Sequence, residues 1–350
     1  MENHCKIRSI ALLVIPALLL AHCSSTGTSE KRYQIELNNN FTKDSLHCYF
    51  RQKEIQGSDV ATFEALDENY ARDKDSVYFC DSDWVTTGHL FPPFRTQITI
   101  KTMSEAKSSE FKAVGYLYGK DNQRGFFEGE PIHVNDLTTL TGVGNDFAKD
   151  DQRVYFKGKI ISGSDGKTFQ FLDSTREKFA KDSKYCYCFS REEVVKIYCH
   201  PSTFVKIDNN YNKDHFAVYY DAVRLDGANP KTFKVINHSY AKDDKSVYCQ
   251  FLKINGADAV SFIVLPGNEN LNGDFYYTAD KNSVFWQSEK VNGADPKTFV
   301  ILERGYGVDK DHAYYQTSVV VGANPKTFKS TGGASATDGV NEFYEGKKTN

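Results

Sequence analysis

Apolar and polar positions recur along this chain on a ladder with a 29-residue step. Over Thr232-Phe233-Lys234-Val235-Ile236 the residues alternate and are rich in β-formers, which predicts a strand. Ser239-Tyr240-Ala241-Lys242 leads into a polar turn at Asp243-Asp244-Lys245-Ser246. Val247-Tyr248-Cys249 then runs back as a second strand, with Tyr248 expected beside Tyr240. The rungs start at Gln34, Phe63, Phe111, Leu140, Phe169, Phe204, Phe233, Phe262, Phe299 and Phe328, and six of the nine steps between them are 29 residues.

An aspartate follows each anchor, ten residues on in most rungs: Asp44, Asp73, Asp121, Asp150, Asp182, Asp214, Asp243, Asp280, Asp309 and Asp338. Asp182 and Asp280 are displaced by small insertions. A basic residue precedes it in seven rungs, from Lys43 and Arg72 to Lys213 and Lys242. Five residues after it stands an aromatic: Tyr49, Tyr78, Phe126, Tyr155, Tyr187, Tyr219, Tyr248, Phe285, Tyr314 and Phe343. An aspartate suits a tight turn because its carboxylate accepts nearby backbone N–H groups.

The rungs are joined by a second motif. Gly227-Ala228-Asn229-Pro230-Lys231-Thr232-Phe233 recurs before Phe299 and again before Phe328. Asn or Asp before Pro reads as an N-cap followed by Pro at the first helical position, so each link is expected to be one helical turn that drops its Phe into the core. Repeats of this length bury their apolar faces on their neighbours. The expected fold is mainly β, an elongated array of β-hairpin repeats of about 29 residues linked by single helical turns, ending on a polar cap after Phe343-Tyr344. Residues 1–22 read as a signal peptide, 23–32 as a polar linker, 33–346 as the repeat domain with an insertion within 81–136, and 347–350 as a tail.

Tyr211-Asn212-Lys213-Asp214, the run from Tyr240 to Tyr248 and the Gly-Ala-Asn/Asp-Pro-Lys-Thr-Phe links resemble the DKNYY family of bacterial lipoproteins and exported proteins. The resemblance runs over residues 34–346 and is strongest over 140–329. It implies a repeat fold and a cell-envelope address. It implies no activity, cofactor or catalytic residue.

The N-terminus carries an address of its own. Lys6 and Arg8 precede an apolar run from Ile10 to Leu20, too short to span a bilayer but of signal-peptide length. Leu20-Ala21-His22-Cys23 resembles the lipobox of bacterial lipoproteins, in which Cys23 would receive the lipid; His22 departs from that pattern. A plain secretory signal, with Cys23 an ordinary cysteine, is the alternative. Either reading makes the body exported, as a membrane-anchored envelope protein or as a secreted or periplasmic one. With a net charge of −3 the chain offers no basic stripe, so nucleic acid is not an expected partner. The expected partners are the membrane, through the N-terminal lipid, and an unidentified protein or glycan.

Candidate chemistry is sparse. Six cysteines lie beyond the signal region, and an even number in an exported chain suggests disulfides. Cys186 and Cys188 share one strand face and, with Cys199 and His200, form a candidate soft-metal set, although the spacing fits no common zinc pattern. Asp73-Lys74-Asp75 and Asp81-Ser82-Asp83 raise calcium, but lack the order of a dedicated loop. No Gly-x-Ser-x-Gly, His-Glu-x-x-His or phosphate-cradling loop occurs. The expectation is therefore a non-catalytic, cofactor-free binding or scaffolding protein, with an envelope glycan hydrolase sited in the 81–136 insertion, or a metal-binding lipoprotein, as rivals. The residues expected to carry the repeat include Asp150, Tyr155, Phe204, Asp214, Tyr219, Phe233, Asp243, Tyr248, Phe299, Asp309 and Tyr314.

Overall fold

A computed structural model describes residues 34–86, 94–173, 175, 178–266 and 277–349. Within them the chain forms ten four-stranded antiparallel sheets, one per rung, each with its strands in chain order. We number the units 1–10 and label their strands a to d. In unit 7 these are Lys234–Val235, Tyr240–Lys242, Val247–Cys249 and Leu252–Lys253. The hairpin expected from the sequence is thus the b–c pair, and two edge strands flank it. Strands a and d are only two residues long in most units, too short to show alternation, and so brief an edge is a poor template for pairing with another chain.

Each turn has its own device. Between a and b, Asn237 Oδ1 accepts the N–H groups of Ser239 and Tyr240 at 3.0 and 2.8 Å. Between b and c, Asp243 Oδ1 accepts those of Lys245 and Ser246 at 2.8 and 2.7 Å. Between c and d, Gln250 adopts φ 54°, the left-handed region that a two-residue hairpin turn of this hand requires.

The links differ from expectation in their hydrogen bonding. Thr232 N–H reaches Asn229 O at 3.2 Å, Thr298 N–H reaches Asp295 O at 3.1 Å and Thr327 N–H reaches Asn324 O at 3.2 Å. These are single turns, but only Ser108–Glu110 and Gly166–Thr168 complete a 3₁₀ helix among the described residues. In the first of these three links Phe233 N–H also reaches Asn229 O, at 3.0 Å, so both bonds close on one carbonyl rather than propagating a helix.

The core sits between units. Tyr240 pairs with Cys249, and Ala241 with Tyr248, so Tyr240 and Tyr248 lie one pair apart and face opposite ways. Tyr240 packs with Val247, Cys249, Ile254 and, from unit 8, Phe262 and Phe285. Tyr248 packs backwards with Phe233, Ala241 and, from unit 6, Tyr211, Val218 and Leu225. The expected Tyr240–Tyr248 contact is therefore replaced by two contacts to different neighbours. The same division gives nine clusters among the described residues, one for each of the nine junctions.

Among the described residues, rings link across seven of these nine junctions. Tyr211 of unit 6 meets Phe233 of unit 7 at 5.4 Å between centroids, and Phe233 meets Tyr248 at 6.0 Å. Tyr277, Phe299 and Tyr314 repeat this at 4.9 and 5.7 Å. Within a unit, the cross-strand partner of the strand b aromatic stands six residues after the aspartate: Tyr306 with Tyr315 at 4.7 Å, Tyr211 with Tyr220 at 5.0 Å. Because half of each core comes from the neighbour, removing one anchor ring costs about 3–5 kcal/mol and loosens two units at once.

Unit 10 closes the ladder with polar residues. Ser335, Glu342, Tyr344 and Thr349 stand where unit 9 has Tyr306, Ala313, Tyr315 and Val320, and the last three of them are exposed. Strand d of this unit, Lys347–Lys348, extends the last sheet into the segment the sequence sets off as a tail.

The insertion between units 2 and 3 is a lengthened hairpin. Strand c of unit 2 runs from Val77 to Thr86 and pairs with strand d from Phe94 to Thr102, in continuous register from Tyr78↔Thr102 to Thr86↔Phe94. Met103 then resumes the ladder: its N–H bonds to Val77 O as that of Ile55 bonds to Cys48 O. The described part of the insertion is an arm of two paired strands, and the ladder resumes at its base.

Candidate functional site

Every rung aspartate is buried, from 2% exposed at Asp150 to 6% at Asp309. A buried carboxylate persists only where donors surround it. Asp309 shows how. Its Oδ1 accepts the N–H groups of Asp311 and His312 at 2.8 and 2.7 Å. Its Oδ2 accepts the N–H of Asp295, in the preceding link, and the Tyr314 hydroxyl, both at 2.9 Å. The aspartate thus ties its own turn to the link fourteen residues upstream and to the aromatic five residues on. Tyr155 to Asp150 at 2.6 Å, Tyr78 to Asp73 at 2.7 Å and Tyr219 to Asp214 at 3.1 Å repeat the arrangement. Asp243 likewise accepts the Asn229 N–H at 2.8 Å, while the Tyr248 hydroxyl turns to Asp226 O at 3.4 Å. For Asp73, Asp214 and Asp309 burial pushes the carboxyl pKa up, but the accepted hydrogen bonds prevail and hold it below the usual range.

The basic residue beside the aspartate points the other way along the array. Lys242 Nζ donates to Ala259 O at 2.8 Å and Phe262 O at 3.4 Å, in the next link. Lys120 donates to Thr138 O and Leu140 O at 2.9 and 3.2 Å, and Arg72 to Ser108 O and Phe111 O at 3.0 and 3.1 Å. In the same direction, the Tyr118 hydroxyl donates to Asp146 O at 2.8 Å and accepts the Gly158 N–H at 2.9 Å. The repeated polar residues are therefore a joinery system: aspartate holds the link before it, and lysine and the strand b tyrosine hold the unit after it. The sequence marks these residues as a ladder and assigns the aspartates to tight turns; the structure shows in addition that these carboxylates are buried.

The cysteines resolve differently from a thiolate cluster. Cys186 and Cys199 form a disulfide, with Cα atoms 6.2 Å apart, that ties strand c of unit 5 to the following link. Cys188 is free and packs against the same cluster, which also holds Cys186, Phe204 and Tyr219; burial pushes its thiol up to about 11. Two of the four candidate metal ligands are thus consumed by each other. His200 serves the link instead: its N–H bonds to Asp214 Oδ2 at 2.7 Å, and its ring contacts Ser202 and His215. Among the described residues no group of three or more His, Cys, Asp or Glu is placed to hold a metal ion. Of the calcium candidates, Asp73 is saturated by its turn, and Asp81 and Asp83 lie on one face of the arm, opposite Thr99 and Gln97.

Near the insertion, a shallow cavity of about 280 Å³ is lined by residues including Lys101, Glu105, Phe126 and Glu130. Both carboxylates are engaged there, Glu130 with Lys101 at 2.9 Å and Glu105 with Arg124 at 2.7 Å. Cys23 and the N-terminal signal region lie outside the described residues. Among the described residues no helix is long and apolar enough to cross a membrane.

Comparison with known proteins returns one family. The DKNYY family model matches residues 24–84, 147–289 and 211–347, which together cover most of the chain and leave out 85–146, from the arm through unit 3 to the start of unit 4. No curated protein and no solved structure matches the chain. The matched segments carry the Tyr, Lys and Asp residues that join the units, and on that ground the chain belongs to the DKNYY family.

Proposed function

We propose that the protein is an exported, lipid-anchored repeat protein of the bacterial envelope, and that its array is a non-catalytic surface for binding or scaffolding a protein or glycan. One observation carries the non-catalytic part. The repeated carboxylates, lysines and tyrosines, the residues from which an active site would be drawn, are turned inward and engaged by backbone groups or by one another. What remains outside is a row of similar turns and short edge strands, suited to a partner that contacts several units at once. The anchored part rests on the Lys6/Arg8 flank, the Ile10–Leu20 apolar run and Cys23.

The test is protease shaving of intact cells, with palmitate labelling, on the native protein and Cys23→Ser. Label on the native protein alone, with the Cys23→Ser body released from membranes, is the expected result. Equal membrane retention of an unlabelled Cys23→Ser protein contradicts the anchor.

A further inference from the structure

The arm of unit 2 is the one place where the described chain leaves the ladder's geometry for a long regular element. Directly opposite residues of an antiparallel pair share a face, so the register sorts the arm into two sides. One side carries Cys80, Ser82 and Trp84 opposite Ile100, Ile98 and Thr96; the other carries Asp81 and Asp83 opposite Thr99 and Gln97. The first side is apolar at its base. Cys80 is buried, and Ile98 and Ile100 pack on the unit 1–unit 2 core. Lys53 Nζ, on strand d of unit 1, donates to Ile98 O at 3.1 Å, which fixes the base of the arm against unit 1. Two pairs further out the same face continues into Trp84, which is 75% exposed. The next pair outward, Val85↔Arg95, sets an aliphatic side chain and a cation on the arm's other face at the same level. The pairs from Asp81 to Thr86 carry the arm about 20 Å beyond Cys80.

The place of this arm in the chain indicates what covers Trp84. It leans on unit 1, and only Ser24 to Tyr33 separate that unit from Cys23. Ten residues reach at most about 35 Å. A body held by a lipid on Cys23 therefore keeps unit 1 within about 35 Å of the bilayer, which leaves the arm upon it within reach of the surface. An exposed indole near the arm's outer end, with an arginine at the same level on the other face, matches the head-group layer, where the ring's apolar body and N–H are both accommodated. We propose that Trp84 seats in the head-group layer of the membrane that anchors the chain, giving the array a second point of attachment and a fixed orientation. This proposal rests on the lipid-anchored reading above.

The chain has two tryptophans, and the other, Trp286, packs on Tyr277 at 4.7 Å. Trp286→Phe therefore leaves Trp84 as the reporter, at a position where other units already carry Phe. The lipidated protein is reconstituted into phosphatidylethanolamine–phosphatidylglycerol vesicles with and without brominated acyl chains. The expected result is co-flotation with the vesicles, a blue-shifted Trp84 emission and roughly twofold quenching by bromines near the interface. A Trp84→Phe protein, reporting from Trp286, stays unquenched. Flotation without quenching of Trp84 overturns the arm's role and leaves the anchor standing. Loss of flotation overturns the anchor, and the proposal with it. A blue shift that follows protein concentration without lipid assigns the arm to a second copy and also overturns the proposal.

Discussion

The Tyr314 hydroxyl donates to Oδ2 of Asp309 across 2.9 Å, five residues apart in sequence and both buried in the junction between units 8 and 9. Phe stands at the tyrosine's rung in units 3, 8 and 10, so the ring alone satisfies the packing, and the hydroxyl serves the carboxylate. Tyr314→Phe should therefore cost about 1–2 kcal/mol, the value of one hydrogen bond to a charged group. Asp309→Ala strips three backbone N–H groups and the hydroxyl of their acceptor and should cost about 3 kcal/mol or more. Urea unfolding of the two variants against the native protein orders them, and equal losses would contradict this division of labour.

Acid should loosen the array from its joints. The carboxyls of Asp73, Asp214 and Asp309 are held below their unfolded values, so the stability they contribute is present above the unfolded pKa of about 4 and is lost as pH falls through the folded values. Melting temperatures should change little between about pH 7 and 5 on this account and fall steeply below about pH 4. The Asp309→Asn variant should start lower and show a shallower acid limb, and an unchanged limb would remove Asp309 from the effect.

Lysine 120 tests the forward joint. Its side chain is partly buried, which pushes its pKa down, and its Nζ serves carbonyls of the next link. Lys120→Met leaves those carbonyls to water or to nothing and should cost about 1–3 kcal/mol. Arg72 makes the equivalent bonds in unit 2, so Lys120→Arg should recover much of the loss. Thermal melts of both variants check this; no recovery by arginine, which keeps both the charge and the donors, would contradict the equivalence of the two joints.

Thr278 shows the ladder departing from its own rule. Its rung is Ala in units 2, 4, 5, 7 and 10, and here the fully buried hydroxyl oxygen has no partner among the described residues. Thr278→Ala removes an unsatisfied polar group without opening a large cavity and should stabilise by about 1 kcal/mol. A higher urea midpoint is the expected outcome, and a lower one would show that the hydroxyl is engaged.

Much of this architecture is legible in the sequence because it is written ten times. The period, the β character and the hairpin turn at Asp243 all follow from repetition and turn chemistry. Three things are hidden for physical reasons. Two-residue edge strands such as Lys234–Val235 carry no alternation to read. The facing of Tyr240 and Tyr248 depends on a one-residue register that periodicity of the anchors does not fix. The burial of Asp309 depends on donors from a different link, Asp295 among them, and sequence spacing does not reveal that meeting. The arm could have been found earlier, since Phe79-Cys80 and Ile98-Thr99-Ile100 flank its added residues with β-formers.

The central claim is that each core belongs to two units and to neither alone. A pair of double-mutant cycles on Tyr211 tests it most directly, because Tyr211 faces Phe233 of the next unit at 5.4 Å while Tyr219, in its own hairpin, faces unit 5. With each residue changed to Leu, the Tyr211–Phe233 coupling should be about 1 kcal/mol and the Tyr211–Tyr219 coupling within about 0.3 kcal/mol of zero. A larger coupling inside the hairpin than across the junction would mean that each unit keeps its own core, and would contradict the shared array.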